Sequence, residues 1–310
     1  MVETESMQAQ RTADGARDAV PTSPRLTGRP PDHIPPEILA LLPPGDPFEH
    51  VMALQGEVFR DVPGRRTLRV RLGGESYFVK QHFGVGWREI FKNLFSGKWP
   101  VVDAAVEWRA IRQLQALGIP TTPGVAYASR GWNPARRRSF VMTRDLGDIV
   151  SLEDHCRDWP HAPPPLTHKR AILAEVARIA RTLHEHGLNH RDFYLCHFCL
   201  DGERLRQGEI LIYLMDLHRV GLRRATSWRD RMKDLAALYF SALDIGLSRR
   251  DCLRFIRLYR GSLRRTLVGE RSFWRQVDRR ARRLYHKFHG RWPTTPFDEI
   301  ENRPEEGRPR

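Results

Sequence analysis

Cysteine is scarce in this sequence, with 4 residues in a chain of 310. So few thiols in a long chain do not form a disulfide framework, which is typical of a reducing compartment. Nowhere does an uncharged apolar run approach the ~20 residues that a transmembrane helix needs. The acidic start, Met1-Val-Glu-Thr-Glu, is not followed by the apolar core of a secretory signal. These absences predict a soluble or peripheral protein made in the cytoplasm.

Apolar periodicity is also missing from both ends of the chain. Residues 1–36 are rich in Thr, Ser, Asp, Arg and Pro, and the last residues are charged and contain proline. Segments of this composition cannot bury enough apolar surface to offset the entropy lost on ordering. We therefore expect a disordered N-terminal tail at 1–36 and a charged, loosely attached tail at 298–310.

Acidic residues are sparse in the last third of the chain, and the whole protein carries a formal charge of +15. Residues 219–291 hold 21 of the 52 Lys and Arg residues but only 6 of the 37 Asp and Glu residues, so the remainder, with 31 of each sign, is neutral. The excess predicts an anionic partner for this region: a phosphorylated lipid, a phosphosugar, a nucleic acid or a membrane face. A solvated cationic surface is the alternative.

Two regions with different periodicity lie between the tails. Residues 37–147 are predicted to form a small antiparallel sheet with one helix, because alternating strands at 67–72 and 75–80 flank Gly73-Gly74 and a helical period covers 104–117. Residues 148–297 are predicted to be mainly helical. Their expected elements are a helix capped by Thr167 and ended by Gly187, short strands at 198–206 and 210–217, and helices at 228–245, 249–261 and 271–289.

A small β-rich lobe followed by a helical lobe is the α+β arrangement of protein-kinase-like phosphotransferases. Phosphoryl transfer from ATP needs a cation on the α- and β-phosphates, a carboxylate near the attacking hydroxyl and carboxylates that hold Mg²⁺. The candidates follow the order that this fold requires: Lys80 at a strand end, Glu107 on the next helix to pair with it, Asp192 in His190-Arg-Asp, and Asp216 at the end of a later strand. Together they predict a kinase that uses ATP and Mg²⁺.

Two departures from the common kinase pattern indicate a non-standard kinase. The position five after Asp192, normally an asparagine that binds Mg²⁺, is His197. Imidazole is a poorer ligand for a hard cation, so His197 could bind the metal through nitrogen, through water or not at all. The sequence contains no Gly-x-Gly-x-x-Gly, and the best candidate for the nucleotide loop is the segment 55–60, which contains Gly56.

The same stretch that contains Asp192 could instead hold zinc. Cys196-His-Phe-Cys199 has the spacing of a metal-ligand pair, but no second such pair exists. His184 and His186 lie two residues apart on a helix and therefore point to different faces. Because cysteine is among the most buried residue types, we prefer to interpret both cysteines as core residues.

On these residues the chain resembles the lipopolysaccharide core heptose(I) kinases. The similarity rests on residues 187–198, 215–220 and 233–246, with support from residues 99–108, and it spans about residues 48–297. Histidine at position 197 belongs to the pattern of this family rather than to that of kinases at large.

The resemblance implies a eukaryotic-like kinase fold and transfer of the γ-phosphate of ATP to the first heptose of the lipopolysaccharide inner core, commonly at O4, with Mg²⁺. It places the protein on the inner face of the inner membrane of Gram-negative bacteria. Carried over by position, it implies Asp192 as the catalytic residue, Lys80 and Glu107 at the nucleotide, and Asp216 at the metal. Asp234, together with His190, is implied to support the catalytic loop.

The basic last third fits an acceptor that is a phosphorylated glycolipid anchored in a membrane. Attraction to an anionic leaflet contributes ~1 kcal/mol for each basic residue near its surface. Arg279 and Arg283 are candidates to face the acceptor, because arginines recur every four residues from Arg271 to Arg283. Residues 84–99 interleave aromatics with lysines. They could lie at an interface, line the acceptor site, or form a packed or mobile loop.

Other functions stay open at this point. A kinase of another small molecule or of a protein would share Lys80, Asp192 and Asp216 but would not need so basic a last third. A nucleic-acid-binding protein would use the Arg-rich residues 271–291, but it leaves the kinase residues unexplained, so no nucleic acid is expected. A catalytically dead scaffold would be expected to lack a key position. The sequence predicts neither an oligomeric state nor a protein partner.

Overall fold

The computed structural model describes residues 29–84, 86–87 and 103–298, without the side chains at positions 263, 265 and 267. Most of the expected tails, and residues 85 and 88–99 of the aromatic segment 84–99, lie outside the described residues. The chain divides into two units between Pro31 and Asp32, and all the elements below belong to the second unit.

The first strands form a five-stranded antiparallel sheet in the order β1-β2-β3-β5-β4. The strands are β1 Glu57–Val62, β2 Arg65–Leu72, β3 Glu75–His82, β4 Gly124–Arg130 and β5 Arg138–Arg144. Two short helices precede them, α1 Pro36–Leu39 and α2 Pro47–Ala53, and α3 Ala105–Ala116 lies between β3 and β4. Lys80 is on the central strand β3, where it pairs with Thr67 on one side and Val141 on the other.

Alternation along the strands gives the sheet two buried faces. Leu68 on β2 and Val79 on β3 are buried in one apolar cluster together with Phe48 of α2. On α3, Ile111 and Leu114 are fully buried in a second cluster that continues into the helical region. The helix α3 therefore shares one core with the elements that follow the sheet.

The rest of the described chain is mainly helical, as the sequence predicts. The elements are β6 Ile149–Ser151, α4 Leu152–His155, α5 Leu166–Glu185, β7 Leu188–Asn189, β8 Phe198–Asp201, α6 Gly202–Arg206, β9 Ile212–Leu214, β10 Gly221–Leu222, α7 Trp228–Ser241, α8 Arg249–Arg260, α9 Leu263–Gly269 and α10 Arg271–His289. Strands β6, β8 and β9 form a small sheet, and β7 pairs with β10. Helix α5 packs on α8, and α7 packs on α10. None of the described helices combines the length and apolar character needed to span a bilayer.

Two local predictions were wrong. Helix α5 begins at Leu166 with Pro165 as its N-cap rather than Thr167, because the preceding proline already has the extended backbone of a cap. The strand expected at 198–206 ends at Asp201, whose side chain accepts the Arg204 N–H and starts α6. The predicted last helix is present, and Phe288 is 77% exposed because the last turn of α10 lies at the surface.

A buried carboxylate on α7 holds the loop that follows β7. Asp234 is 1% exposed, and its two oxygens accept hydrogen bonds from the backbone N–H groups of His190, at 2.7 Å, and Arg191, at 2.9 Å. The His184 ring lies 3.3 Å from the same carboxylate and 2.9 Å from the Tyr259 hydroxyl. Because a buried carboxylate without partners is costly, the loop and the helix stabilise each other. His184 is therefore structural, as predicted.

The substitution Asp234→Ala is expected to lower the free energy of unfolding by roughly 2–4 kcal/mol, because it leaves two buried backbone N–H groups without an acceptor. Asp234→Asn keeps one acceptor oxygen and should cost less. Urea unfolding at neutral pH measures both variants. The exposed control Asp158→Ala should stay within about 0.5 kcal/mol of the wild type. Equal losses for Asp234→Ala and the control would contradict the role of Asp234.

Candidate active site

Strand β3 and helix α3 bring the first two candidate residues together. Lys80 Nζ lies 2.5 Å from Glu107 Oε1, so the predicted contact is present. The Glu107 side chain is 5% exposed, and within the described part of the chain its other oxygen has no hydrogen-bond partner. The Lys80 side chain keeps 26% of its surface exposed. The ammonium group is thus fixed on one side and accessible to a ligand on the other.

The loop that carries Asp192 starts from a tight helix end. Gly187 has φ 79°, and a Cβ there would lie 2.0 Å from the carbonyl oxygen of Arg223, so only glycine allows the close approach. His190 is fully buried, and its Nε2 is 2.9 Å from the carbonyl oxygen of Met215. Burial lowers the pKa of His190, and the neutral ring donates this hydrogen bond. His190 thereby ties the Asp192 loop to the segment that contains Asp216.

Arg219 binds the Asp192 carboxylate, a contact that the sequence reasoning missed. Arg219 Nη1 lies 2.7 Å from Oδ1 and 3.0 Å from Oδ2 of Asp192. The Asp192 side chain is 17% exposed and that of Arg219 is 41% exposed. Arg219 belongs to the segment 215–220 that carried the family resemblance, but nothing in the sequence shows where its side chain points.

Asp216 follows β9 and has two imidazoles beside its carboxylate. His218 Nδ1 lies 2.5 Å from Oδ1, and His197 Nε2 lies 3.6 Å from Oδ2. Burial acts to raise the pKa of Asp216, but the hydrogen bond and charge of His218, with the charges of Lys80 and His197, hold it well below its ordinary value. Asp216 is thus held as an anion, and the charge of Lys80 contributes to this.

His197 lies between the other two loops of the site. Its Nδ1 is 2.6 Å from the carbonyl oxygen of Asp192 and therefore donates to it, which leaves Nε2 to face Asp216. Burial acts to lower the pKa of His197, but hydrogen bonds with Cys196 and the Asp192 carbonyl, and the Asp216 charge, raise it to about 9. At neutral pH the ring is a cation that joins the Asp192 loop to Asp216.

The donor set around Asp216 fits a hard cation that also binds a nucleotide. Mg²⁺ prefers oxygen, and with ATP it takes one or two protein carboxylates and completes its shell with phosphates and water. Among the described residues no cluster of three or more His, Cys, Asp or Glu side chains could hold a metal ion. A cation at Asp216 would therefore take further ligands from the nucleotide. A protonated His197 offers it no lone pair, and its role as a ligand stays a prediction.

The hairpin between β1 and β2 carries an arginine toward this site. Gly56 lies just ahead of β1, where a Cβ would be 2.2 Å from the Arg69 carbonyl oxygen, and not in the hairpin turn. Arg65 follows the turn, and burial is the main effect that lowers its pKa, while the negative charges of Asp216 and Glu107 oppose the shift. The charges of both carboxylates thus act on Arg65, which the sequence reasoning did not select.

Helix α10 presents its arginines on different sides. Arg279, one of the two acceptor candidates, lines a cavity of the helical lobe, and Arg283, the other, is exposed. Arg280 is exposed, and its charge acts on Tyr194 in the loop that carries Asp192. Burial and then the Asp192 charge raise the pKa of Tyr194, while Arg219 and Arg280 act to lower it. The acceptor roles of Arg279 and Arg283 stay predictions.

The cysteines do not assemble a zinc site in the described part of the chain. Cys199 is buried, with its sulfur 3.9 Å from the carbonyl oxygen of Cys196, and Cys196 is partly exposed. His184 bonds Asp234 and Tyr259, and His186 bonds the Thr182 carbonyl. Cys199 is thus a core residue as predicted, whereas Cys196 is at the edge of the core.

A cavity of about 940 Å³ lies in the helical lobe, and Lys80, Glu107, Asp192 and Asp216 are not among its lining residues. Its walls come from α5, α7, α8 and α10. The apolar lining includes Ile172, Val176, Leu238, Ala242 and Ile256, and the basic lining consists of Lys169, Arg249, Arg271, Arg275, Arg279 and Arg282. Asp251 and Asp278 also line the cavity and pair with Lys169 and Arg282, so the lining is mainly apolar with an excess of cations. The sequence reasoning did not foresee this cavity.

Comparison with known proteins agrees with this geometry. Residues 49–259 match the model of the lipopolysaccharide kinase (Kdo/WaaP) family. The chain is 50% identical over 244 residues to the lipopolysaccharide core heptose(I) kinase WaaP of Pseudomonas aeruginosa, which covers 78% of this chain and 91% of the relative. It is 44% identical over 244 residues to WaaP of Escherichia coli, which covers 77% of this chain and 91% of the relative.

A solved structure described as WaaP in complex with acyl carrier protein superposes with a TM-score of 0.71 at 43% identity. The match covers 83% of this chain and the whole of that chain. Both the sequence and the fold are thus similar to those of heptose kinases over most of their length. The chain belongs to the lipopolysaccharide kinase (Kdo/WaaP) family.

Proposed function

We propose that the protein transfers the γ-phosphate of ATP to O4 of the first heptose of the lipopolysaccharide inner core. The observation that supports this most directly is the clustering of the four kinase residues. Lys80 is paired with Glu107, its charge acts on Asp216, and His197 contacts both Asp216 and the Asp192 backbone. The relatives at 44–50% identity are named heptose(I) kinases, which supports the choice of acceptor.

Each of these residues has a task in the transfer. Lys80, held by Glu107, binds the α- and β-phosphates, and Arg65 of the β1–β2 hairpin adds a second cation near them. Asp192 orients the heptose hydroxyl and takes its proton as the oxygen attacks the γ-phosphorus. The new bond joins this oxygen to phosphorus, the bond to the β–γ bridging oxygen breaks, and ADP leaves.

Asp216 is the residue that would hold Mg²⁺ together with the β- and γ-phosphates, with His197 beside it. Bound there, the ion would neutralise charge on the transferred group and the leaving group. His197, as a cation hydrogen-bonded to the Asp192 carbonyl, keeps the two loops at a fixed separation. Gly56 keeps the entry to β1 close to β2, and its contact with the nucleotide stays a prediction.

Arg219 is a positioning residue for Asp192. Its guanidinium contacts both carboxylate oxygens, so it fixes the rotation of the carboxylate in the absence of acceptor. Arg219 lies in a short turn, Leu217–Arg219, that starts directly after Asp216. A movement of Asp216 would therefore shift Arg219, three residues later, and with it the carboxylate of Asp192.

A kinase of another small molecule or of a protein would use the same four residues, and a nucleic-acid-binding protein would use the arginines of α10. The identity to heptose kinases over most of the chain favours the sugar acceptor. A nucleic acid is also not needed to explain the arginines of α10 that line the cavity.

The protein would act as a peripheral protein on the inner face of the inner membrane, where its acceptor is anchored. The support is the charge of residues 219–291, which hold 21 basic and 6 acidic residues. Basic residues are attracted to an anionic leaflet by ~1 kcal/mol each near the surface. Both the leaflet and the acidic core glycolipid would hold this region.

Asp192→Asn should reduce kcat by roughly 10²–10⁴-fold, because the amide cannot accept the hydroxyl proton. Lys80→Met should lower kcat/KM for ATP, because the phosphates lose their cation. Transfer is measured as the mass gain of one phosphate on core glycolipid from cells that lack the gene. Full transfer by Asp192→Asn, or no incorporation by the wild type, would contradict the proposed function.

Arg219→Gln should lower kcat by about 10²-fold with little change in KM for either substrate, because a misplaced catalytic group costs rate rather than binding. Arg219→Lys should restore part of the rate by keeping the positive charge. Arg223→Gln is the matched control, since Arg223 is four residues further along the chain and pairs with Asp230. A rise in KM with unchanged kcat would show that Arg219 binds a substrate instead.

We further propose that the protein binds an acyl carrier protein, the partner named for the solved WaaP structure. By its name, such a carrier holds an acyl chain. The cavity of about 940 Å³ suits such a chain, because its walls are mainly apolar, and a lining of six basic and two acidic residues would favour a carrier with an acidic surface. The acyl chain would enter between the arginines of α10, which would pair with such a surface.

A dodecanoyl-loaded carrier should bind at least about 100-fold more tightly than the unloaded carrier, because each buried methylene contributes ~0.8 kcal/mol. Isothermal titration calorimetry measures both. Ala242→Trp, which narrows the cavity, should remove the preference for the loaded form, and Arg275→Glu should weaken both forms. Arg264→Glu, on α9, serves as the charge control for Arg275→Glu. Equal affinity of the two carriers for the wild type would overturn the role of the cavity.

A further inference from the structure

A row of aromatic side chains leads from the catalytic loop to the protein surface. Tyr194, whose N–H donates to the Asp192 carbonyl, contacts Phe240 of α7 edge to face at a ring distance of 6.0 Å. Phe240 contacts Phe288 of α10 at 6.0 Å and His289 at 6.3 Å. Tyr194 and Phe240 are partly exposed, and Phe288 is 77% exposed. The row therefore begins two residues from Asp192 and ends in solvent.

Folding alone does not account for Phe288 at this place. A phenylalanine exposed to 77% gains little from burial, and a large exposed aromatic beside partly exposed ones forms an apolar surface of the kind that binds ligands. Phe240 is also in contact with the buried Tyr285. The inner end of the row is thus rigid, and its outer end is open.

Basic side chains border the aromatic row. Arg280, Leu284 and Phe288 are four residues apart on α10 and therefore share one side of the helix. Arg280 is exposed, and its charge, like that of Arg219, acts on the Tyr194 hydroxyl. At the outer end, the Arg291 guanidinium lies 5.1 Å from the centre of the Tyr285 ring. An aromatic surface bordered by guanidinium groups thus adjoins the catalytic carboxylate.

This combination suits a saccharide that carries an acidic group. The C–H face of a sugar ring packs on aromatic rings, which lose little conformational entropy on binding. A phosphate or carboxylate on the sugar pairs with a guanidinium through charge-assisted hydrogen bonds. The nucleotide does not need this surface, because Lys80 and Arg65, the residues proposed to bind its phosphates, are on the sheet.

We infer that Tyr194, Phe240 and Phe288, with Arg280 beside them, form the subsite that holds the acidic sugar acceptor against Asp192. This inference rests on the proposed function and assigns its acceptor-binding residues. Arg280 holds the acidic group, and the aromatic row supports the sugar ring and the saccharide that continues from it. A lipid headgroup would be held mainly by charge and would not need the aromatic row.

The test is steady-state transfer from ATP to deacylated core oligosaccharide, which carries no acyl chain and needs no membrane. Phe288→Ala and Arg280→Gln should each raise KM for the oligosaccharide by roughly 10-fold, the equivalent of one good contact. The kcat and the KM for ATP should not change, because neither residue touches the nucleotide. Trp132→Ala, at an aromatic 89% exposed in the first lobe, and Arg264→Gln are matched controls.

The outcomes separate the inference from the function on which it rests. If the wild type transfers phosphate and both variants keep its KM for oligosaccharide, the subsite is wrong and the proposed function stands. An equal rise in KM for ATP also overturns the subsite. If the wild type transfers no phosphate to this acceptor, both proposals fail. Because Phe288 and Arg280 are exposed, thermal unfolding of the variants should match the wild type, which excludes a folding defect.

Discussion

The ion pair between Lys80 and Glu107 is the interaction on which the rest of the site depends. Glu107 is 4% exposed, and in the described part of the chain the lysine is the partner of its carboxylate. Leaving a buried charge without its partner costs about 3–5 kcal/mol, so the pair locks α3 to the sheet. Helix α3 also contacts the turn Leu217–Arg219. A shift of the sheet would therefore also move the segment that carries both Asp216 and Arg219.

Backbone strain is present in both loops of the candidate site. Arg191, with φ 70°, and Asp216, with φ 59°, are the two non-glycine residues with positive φ in the described ranges, and Arg191 directly precedes Asp192. Such conformations cost of order 1–3 kcal/mol each and persist only where other contacts hold them. Asp234 accepts the N–H of Arg191, and the imidazoles of His197 and His218 flank Asp216. Polar contacts at the two strained positions thus keep the loops in place.

The sequence allowed the order of the kinase residues to be predicted, because Lys80, Glu107, Asp192 and Asp216 lie in local patterns of strand, helix and loop. Asp234 and His190 were implied by the family resemblance. Asp234 accepts the N–H groups of His190 and Arg191, and the His190 ring donates to the Met215 carbonyl. A local sequence pattern does not show in which direction a long side chain points. Arg219 could therefore not be matched with Asp192, 27 residues away.

Two further features could not be predicted from the sequence, because they depend on packing between distant elements. The hairpin expected at Gly73-Gly74 is present between β2 and β3. The turn between β1 and β2, which precedes Arg65, was not selected as part of the site because it lacks the glycine pattern of kinase nucleotide loops. The cavity has walls from four helices, so no single helix shows it. Helix α10 was predicted over its full length, but Phe273 and Val277 are buried whereas its last turn lies outside the core.

The arginines of α10 show why a charge count could not identify a partner. Successive residues of a helix differ by about 100° in direction, so Arg279 and Arg280 face different surroundings although they are adjacent in sequence. Arg279 lines the apolar cavity together with Arg275 and Arg282, whereas Arg280 acts on Tyr194 beside Asp192. The basic excess of the last third therefore consists of at least two surfaces. The proposed partner on the cavity side and the proposed acceptor on the loop side would contact different residues of this helix, so both could bind at the same time.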